Sequence, residues 1–486
     1  MIQTLSLAAR NLLRNRRRSL ATLLALAIGA VAVLLFGGYA ADIRATLLTD
    51  YVQNGGHLRI QHKDFYLFGS GNPTAYGIAD YPKIVRAIED DPELKGEVRV
   101  VSPTLVFGGL AGNYEAGVSR PVIGVGYVAD DVARMRQWNE YGLPEINGPY
   151  ALVGAPDDAV IVGVGLARVL LLCERLQVPD CPRPSADEGK AAEQGAALPD
   201  DIAALAAAEP GPGATGKAAA VGNAGKAGKS GKAGTTDGVA LELLATQPRG
   251  SPNVAAVKVR AAEDQGFKEL DEVTVKLQLD QAQRLVYGRA PPRATAIMVQ
   301  LEHTASVPRV TAQLRALLDR LLPGHALTVM NFRELNPFFD ETIALFNTIF
   351  GFIFVLIGGI VLFTVSNTMM AAVMERTAEI GTVRAVGLRQ SGIRRLFVTE
   401  GFLLGCVGAV TGVVSALVLA AIVNALGLTW LPPGSSTPLP LSIRVFGEYG
   451  MIGGTAIGLV VIATLSAWLP AWRAARLSIV DALRHA

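Results

Sequence analysis

The chain has 486 residues, half of them hydrophobic, and a formal net charge of +2. With a positive mean hydropathy, this composition places it in the membrane class. A charge so close to neutral gives no electrostatic footprint for nucleic acid, so no nucleic-acid partner is expected.

Residues 1–18 carry Arg10, Arg14, Arg16, Arg17 and Arg18 and no acid. Residues 19–41 are uncharged and form the first expected transmembrane span. This apolar run exceeds the 7–15 residues of a signal-peptide core, so it is read as a retained anchor. Residues 42–341 are a large α+β region, big enough for one or two folded modules. Strands are expected at Gly56–Gln61, Val98–Leu110, Pro121–Val128, Ala159–Val162, Val254–Arg260 and Ala294–Gln300. Helices are expected at Tyr81–Asp90, Gly165–Leu176 and Val307–Leu322.

Within that region, residues 182–238 are Ala, Gly, Lys and Pro with almost no aromatic or β-branched residue. Such a segment cannot bury enough apolar area to offset chain entropy and is expected to be a disordered insert, with a short helix possible at Ile202–Ala208. It holds two near-matches to a phosphate-binding loop, Asn223–Ser230 (NAGKAGKS) and Gly211–Ala218 (GPGATGKA). The first has Asn where the leading Gly belongs, and the second lacks the final Ser or Thr. Neither has the preceding strand and following helix that aim backbone N–H groups at phosphate, so no nucleotide site is expected in this chain. Cys173 and Cys181 lie just before and at the edge of the insert; in an oxidising compartment they could form a disulfide. Cys406 falls in an apolar span and reads as filler.

Three further spans follow at 342–374, 401–430 and 449–472, separated by a charged loop at 375–400 and a short loop at 431–448. The tail is 473–486. Arg376, Arg384, Arg389, Arg394 and Arg395 lie in the charged loop, and Arg473, Arg476 and Arg484 follow the last span. The short loop has only Arg444 as a basic residue. By the positive-inside rule, both termini and residues 375–400 face the cytosol, and residues 42–341 lie outside it. The expected fold class is thus a membrane protein with four transmembrane α-helices and a large α+β extracytoplasmic domain between the first and second.

His57, His62, His303, His325 and His485 are scattered, and no H-E-x-x-H or G-x-S-x-G pattern occurs. Asp157, Asp158 and the run Glu89–Asp91 read as solvated turns. No catalytic, cofactor-binding or metal-binding residue is expected. The spans contain no charged residue of the kind that marks an ion pathway. Instead Gly408 and Gly412, Gly450 and Gly454, and Gly454 and Gly458 have the spacing of close helix packing, either within one chain or between two.

The loop Glu375–Glu400, ERTAEIGTVRAVGLRQSGIRRLFVTE, is helix-prone. A first amphipathic helix should stop at Gly387, and a second, Ser391–Glu400, should lead into span three. Its charge admits two readings: a docking element for a motor, or an interfacial helix that orients the spans. The segment MERTAEIGTVRAVGLRQSGIRRLFVTEG closely resembles the signature of FtsX-like permeases of the MacB and LolC/LolE type. The tail LPAWRAARLSIVDALRH (Leu469–His485), the start AARNLLRNRRRSLATLLALAIG and the fragments DDAVIVGVGLARVLLL and LDQAQRLVYG resemble the same family.

The resemblance implies a non-catalytic membrane subunit of an ABC transporter in a Gram-negative inner membrane. Two permease chains, identical or paralogous, would pair with a dimer of cytoplasmic ABC ATPases, which would bind the ATP and Mg. The loop would be the coupling helix, with Glu375, Arg376, Glu379, Ile380, Gly381, Arg384, Ala385 and Gly387 as coupling residues. The motion would reach the periplasmic domain by mechanotransmission, for efflux or for handling lipoprotein or lipid-linked cargo, with a periplasmic adaptor or carrier protein and membrane lipid as further partners. Two other readings stay open: an ATP-driven regulator of a periplasmic enzyme or partner, and a membrane-anchored sensor or scaffold without an ATPase.

Overall fold

A computed structural model of the chain describes residues 7, 8, 10, 11, 14, 16–144, 148–178, 238–247, 251–431 and 439–476. Helix α1 (Arg16–Gly55) leads into strand β1 (Leu58–His62). There follow α2 (Tyr81–Glu89), β2 (Val98–Asn113), β3 (Val118–Tyr127), α3 (Ala129–Arg136) and β4 (Ala159–Gly163). Two short helices, α4 (Val164–Val169) and α5 (Cys173–Leu176), precede β5 (Val239–Thr246), β6 (Pro252–Glu263) and β7 (Thr274–Gln278). Then come α6 (Leu279–Tyr287), β8 (Ala296–Leu301), α7 (Val307–Leu321) and β9 (Leu327–Asn331). The chain goes on through α8 (Pro337–Glu375), α9 (Thr377–Ala385), α10 (Gln390–Ala425) and α11 (Tyr449–Arg476).

Among the described residues four helices, α1, α8, α10 and α11, are long and apolar enough to cross a membrane. Two of them exceed what a bilayer needs. Helix α1 has 40 residues and α8 has 39. At 1.5 Å per residue each is about 60 Å long, roughly twice the hydrocarbon thickness. Helix α1 therefore continues beyond Ala41 to Gly55, and α8 begins at Pro337, where proline at the first turn removes an N–H that has no partner in any case. The excess turns of α1 bury Ala45, Leu48 and Val52 in the outer domain, where Leu48 and Val52 pack with Trp138, Phe332 and Phe339. Helix α10 ends at Ala425, short of Trp430. Gly427 takes φ +58°, and Thr429–Trp430 pair as a two-residue strand with Leu439–Pro440.

The small residues of α10 do local work. A Cβ on Gly408 would lie 2.7 Å from Leu26, and one on Gly412 would lie 2.3 Å from the Cβ of Ala30. This pair sets the approach of α10 to α1 within the chain. Gly450 and Gly454 on α11 face open space, whereas Gly458 meets Phe354.

The outer domain has one nine-stranded sheet in the order β3-β7-β4-β6-β5-β2-β8-β1-β9, with an added pairing of β2 to β3. That pairing closes β3-β7-β4-β6-β5-β2 into a barrel and leaves β2-β8-β1-β9 as an open antiparallel sheet. Strand β2 serves both lobes. Its residues Val98–Thr104 pair with β8 and Leu105–Asn113 with β3. The two lobes have separate cores. The barrel core includes Leu105, Phe107, Leu243, Val257, Val275 and Leu277, with Leu285 of α6. The sheet core includes Leu58, Ile60, Val299 and Val329, covered by Ile84 and Ile88 of α2 and by Val310, Leu314 and Leu318 of α7. The last three recur every fourth residue and form one helix face, each contributing about 1.5–3 kcal/mol by its burial.

Most expected elements are present, with differences that have local causes. The single helix expected at Gly165–Leu176 is two helices, because Leu171 takes φ +55° and breaks the ladder. Strand β5 buries Val239, Leu241, Leu243 and Ala245 on alternate positions but lies beside the Ala/Gly/Lys segment and was not expected as a strand. Strands β7 and β9 and helices α3 and α6 were also unforeseen. The expected insert at 182–238, its short helix and Cys181 lie outside the described residues save Gly238, so the pairing of Cys181 with the buried Cys173 stays an expectation.

Candidate coupling site at the arginine-rich end of the helices

Helix α8 ends at Glu375, α9 runs from Thr377 to Ala385, and α10 starts at Gln390. Gly387 lies in the turn at φ +107°, which L side chains rarely adopt, while a Cβ there would meet nothing. The glycine is needed for backbone geometry rather than for space. The stop expected at this residue is therefore where α9 gives way to the turn.

The eight candidate coupling residues divide into two sets. Ile380 and Gly381 are buried, with Ile380 in a small core of Val373, Ile393, Phe397, Ala471, Ala474 and Ala475. Arg376 is also buried. It turns back into the bundle, where its Nη1 lies 3.3 Å from Glu400 Oε1 and its Nη2 donates to the Asn11 carbonyl at 3.2 Å. Asn11 Nδ2 in turn donates to Glu400 Oε1 at 2.6 Å. Arg376 is one of the coupling residues implied by the resemblance; 7% exposed in this chain, it fastens three segments together. The outward set is Glu375, Glu379, Ala385 and Gly387, with Arg384 half-buried. Glu379 pairs with Arg14 Nη2 at 2.5 Å, and both side chains are well exposed.

The sequence reading missed two parts of this site. Glu400 is 3% exposed and Asn11 partly buried, and together they complete the Arg376 network. The available signal was an acid standing immediately before the uncharged run that begins at Gly401. The other part is apolar. Val383, Val386 and Leu388 are exposed around the turn, Val386 at 85%. An apolar tip rimmed by charges, held on a fixed base, has the form of a docking surface.

The opposite ends of α1 and α8 are fixed differently. Gly56 takes φ +75°, and a Cβ there would come 2.9 Å from the Val299 carbonyl oxygen, so only glycine lets α1 turn directly into β1. Gln53 Nε2 donates to the Trp138 carbonyl at 2.7 Å. Gln300 Nε2 donates to the carbonyls of Val52 and Met135 at 3.2 and 2.9 Å. His57 is fully buried, and burial lowers its pKa from 6.5 to about 4. Its Nδ1 accepts from the Leu301 N–H at 3.0 Å, so Nε2 carries the proton and donates to Thr304 Oγ1 at 3.2 Å. The Thr304 hydroxyl in turn donates to Glu140 Oε2 at 2.7 Å. Trp138 closes the joint edge-on to His57 at 5.0 Å and donates to the Glu302 carbonyl. Phe332, just before α8, donates its N–H to the His57 carbonyl at 3.0 Å. The short loop joins the same region: Arg444 donates to the Tyr141 carbonyl at 2.7 Å, and its backbone N–H to that of Gly38.

Residues 348–479 match the family described as FtsX-like permease C-terminal. The lipoprotein-releasing system transmembrane protein LolC of Xylella fastidiosa is 26% identical over 258 residues, which is 51% of this chain and 60% of that protein. The macrolide export ATP-binding/permease protein MacB of Nitrobacter winogradskyi is 35% identical over 128 residues, 26% of this chain and 17% of MacB. An uncharacterized ABC transporter permease of Methanocaldococcus jannaschii is 23% identical over 44% of this chain and 51% of its own length. The chain thus spans 60% or less of each of these relatives. The matched span includes α9, α10, α11 and the part of α8 from residue 348 onward, and with them the buried Arg376 and Glu400.

Proposed function

We propose that this chain, an FtsX-like permease of the kind to which LolC and MacB belong, is the transmembrane subunit of an ABC system driven by separate cytoplasmic ATPases. In this reading the arginine-rich end of the helices faces the cytosol and residues 42–341 face the periplasm of a Gram-negative inner membrane. Two permease chains, identical or paralogous, pair with an ATPase dimer, and ATP and Mg are bound there. The exposed tip around Val383, Val386 and Leu388, flanked by Glu375, Glu379 and Arg384, enters the ATPase.

The single observation that carries the proposal is the way α9 is mounted. Ile380 and Gly381 are buried, and Arg376, Glu400 and Asn11 tie the head of α9 to α10 and to the N-terminal segment. A push on the tip therefore moves α8 and α10 rather than bending a loop. Helices α1 and α8 run unbroken into the outer domain, so the displacement arrives there without a flexible joint. No charged pore is needed, because the work is done by the outer domain. Efflux with a periplasmic adaptor and transfer of lipid-linked cargo to a carrier both fit this motion.

The test is co-purification of the full-length chain with its ATPase. Val386→Asp places a charge in the docking surface and should lower ATPase recovery by about tenfold or more, the effect of losing one interface hot spot. Undiminished recovery with V386D and with the pair Glu375→Ala and Arg384→Ala would remove α9 as the docking element.

A further inference from the structure

The arginine-rich end carries a second feature, on the exposed surface of α10 and α11. Arg394 and Arg395 on α10 and Arg473 and Arg476 on α11 are all exposed, and none is within ion-pairing distance of a carboxylate among the described residues. Two of them lie over indole rings. The Arg394 guanidinium is 5.6 Å from the centre of Trp468, and that of Arg476 is 3.8 Å from the centre of Trp472. Trp468 and Trp472 are four residues apart and so adjacent on one face of α11. They are 54% and 38% exposed. That face continues through the exposed Leu465, Val461 and Ile457. From Ile457 to Arg476 the strip measures about 28 Å, close to the full hydrocarbon thickness.

We propose that this strip binds an anionic phospholipid, with its phosphate held between Arg394 and Arg476 and an acyl chain lying along Leu465, Val461 and Ile457. The chemistry of each part matches. A guanidinium over an indole face is oriented by the ring quadrupole, yet its N–H donors lie in its own plane and stay available for a phosphate. The indoles have an apolar body and a single donor, which suits the depth between headgroup and acyl chain. Four positive charges without an ion-pair partner among the described residues favour an anionic headgroup over a zwitterionic one. The length of the strip speaks against the ATPase as occupant, since a cytosolic protein would meet only its charged end. A second copy of the chain would have to bring acids to the arginines, and the acids exposed near this end, Glu375 and Glu379, belong to the α9 tip. The proposal needs only that α10 and α11 span a bilayer, and it stands apart from the coupling role of α9.

The experiment uses the purified full-length chain in detergent, titrated with phosphatidylglycerol or phosphatidylcholine. Bound lipid is read by native mass spectrometry and the unfolding midpoint by thermal denaturation. Phosphatidylglycerol should be retained preferentially and should raise the midpoint more. Each arginine is expected to contribute about a fivefold preference, so Arg394→Gln with Arg476→Gln should reduce it by about twenty-fivefold. Trp472→Leu, which removes the ring under Arg476 while keeping the surface apolar, should lower the preference with the fold intact. Equal binding of the two lipids, or a preference that survives the double substitution, would overturn the proposal. So would a double variant that keeps its lipid preference but loses self-association or ATPase recovery, which would assign the strip to a protein partner.

Discussion

The two ends of the long helices are held by opposite chemistry. At the arginine-rich end a buried ion pair, Arg376 with Glu400, is completed by Asn11. At the outer end the buried groups of the joint are neutral: an uncharged His57, the amides of Gln53 and Gln300, and Trp138, with the Glu140 carboxylate reached through Thr304 only at the exposed edge. A buried ion pair is costly to desolvate and fails when either partner is lost. A network of neutral hydrogen bonds loses less per bond, because each is worth about 1 kcal/mol net. The first end thus depends on a single buried contact, whereas the second spreads its stability over many bonds.

The largest expected effect tests the ion pair. Glu400→Ala leaves Arg376 buried without its counter-charge and should destabilise the chain by about 3–5 kcal/mol, measured as thermal unfolding in detergent. Replacing both, as Arg376→Met with Glu400→Leu, should recover most of that stability. A single variant that unfolds like the wild type would end the comparison between the two ends.

The next effect sharpens the contrast through pH. His57 has a folded pKa of about 4, below its ordinary 6.5, so the unfolded chain binds its proton more readily than the folded one. Stability should therefore fall as pH drops from 6.5 towards 4, by about 3 kcal/mol in total, and level off below. The reason is structural: Nδ1 cannot both carry a proton and accept from the Leu301 N–H. His57→Asn should flatten that part of the pH profile, and a profile unchanged by the substitution would show that the joint does not depend on this ring.

The smallest effect is expected at Arg14 and Glu379. This pair is short but exposed, so Arg14→Ala or Glu379→Ala should change stability by about 0.5 kcal/mol or less and lose even that at high salt. A large effect would mean that the N-terminal segment is held from outside as well as through Asn11.

Sequence alone identified the four long apolar helices, α2, α7 and most strands, because these depend on composition and periodicity within a short window. It located α9 and its stop at Gly387 for the same reason. It left open which way Arg376 faces, since nothing local in a polar loop shows that its counter-charge, Glu400, folds back on it. It treated Glu400 as the end of a loop, although that acid lies under α9 and pairs across a sequence gap. It also passed over β5, β7 and β9, which are short and ordinary in composition and become strands only through their neighbours.

What the sequence determined by itself is the membrane class, the order of helices and outer domain, and the resemblance of the 375–400 segment to FtsX-like permeases. These are local consequences of apolar runs, charge asymmetry and residue spacing. What only the tertiary structure decided is the closing of β2 onto β3 into a barrel, the direct passage of α1 and α8 into the outer domain, and the division of the 375–400 segment into an inward clasp and an outward tip. Each of these depends on pairing between residues far apart in the chain, where the burial of one group is set by a partner that no local pattern specifies.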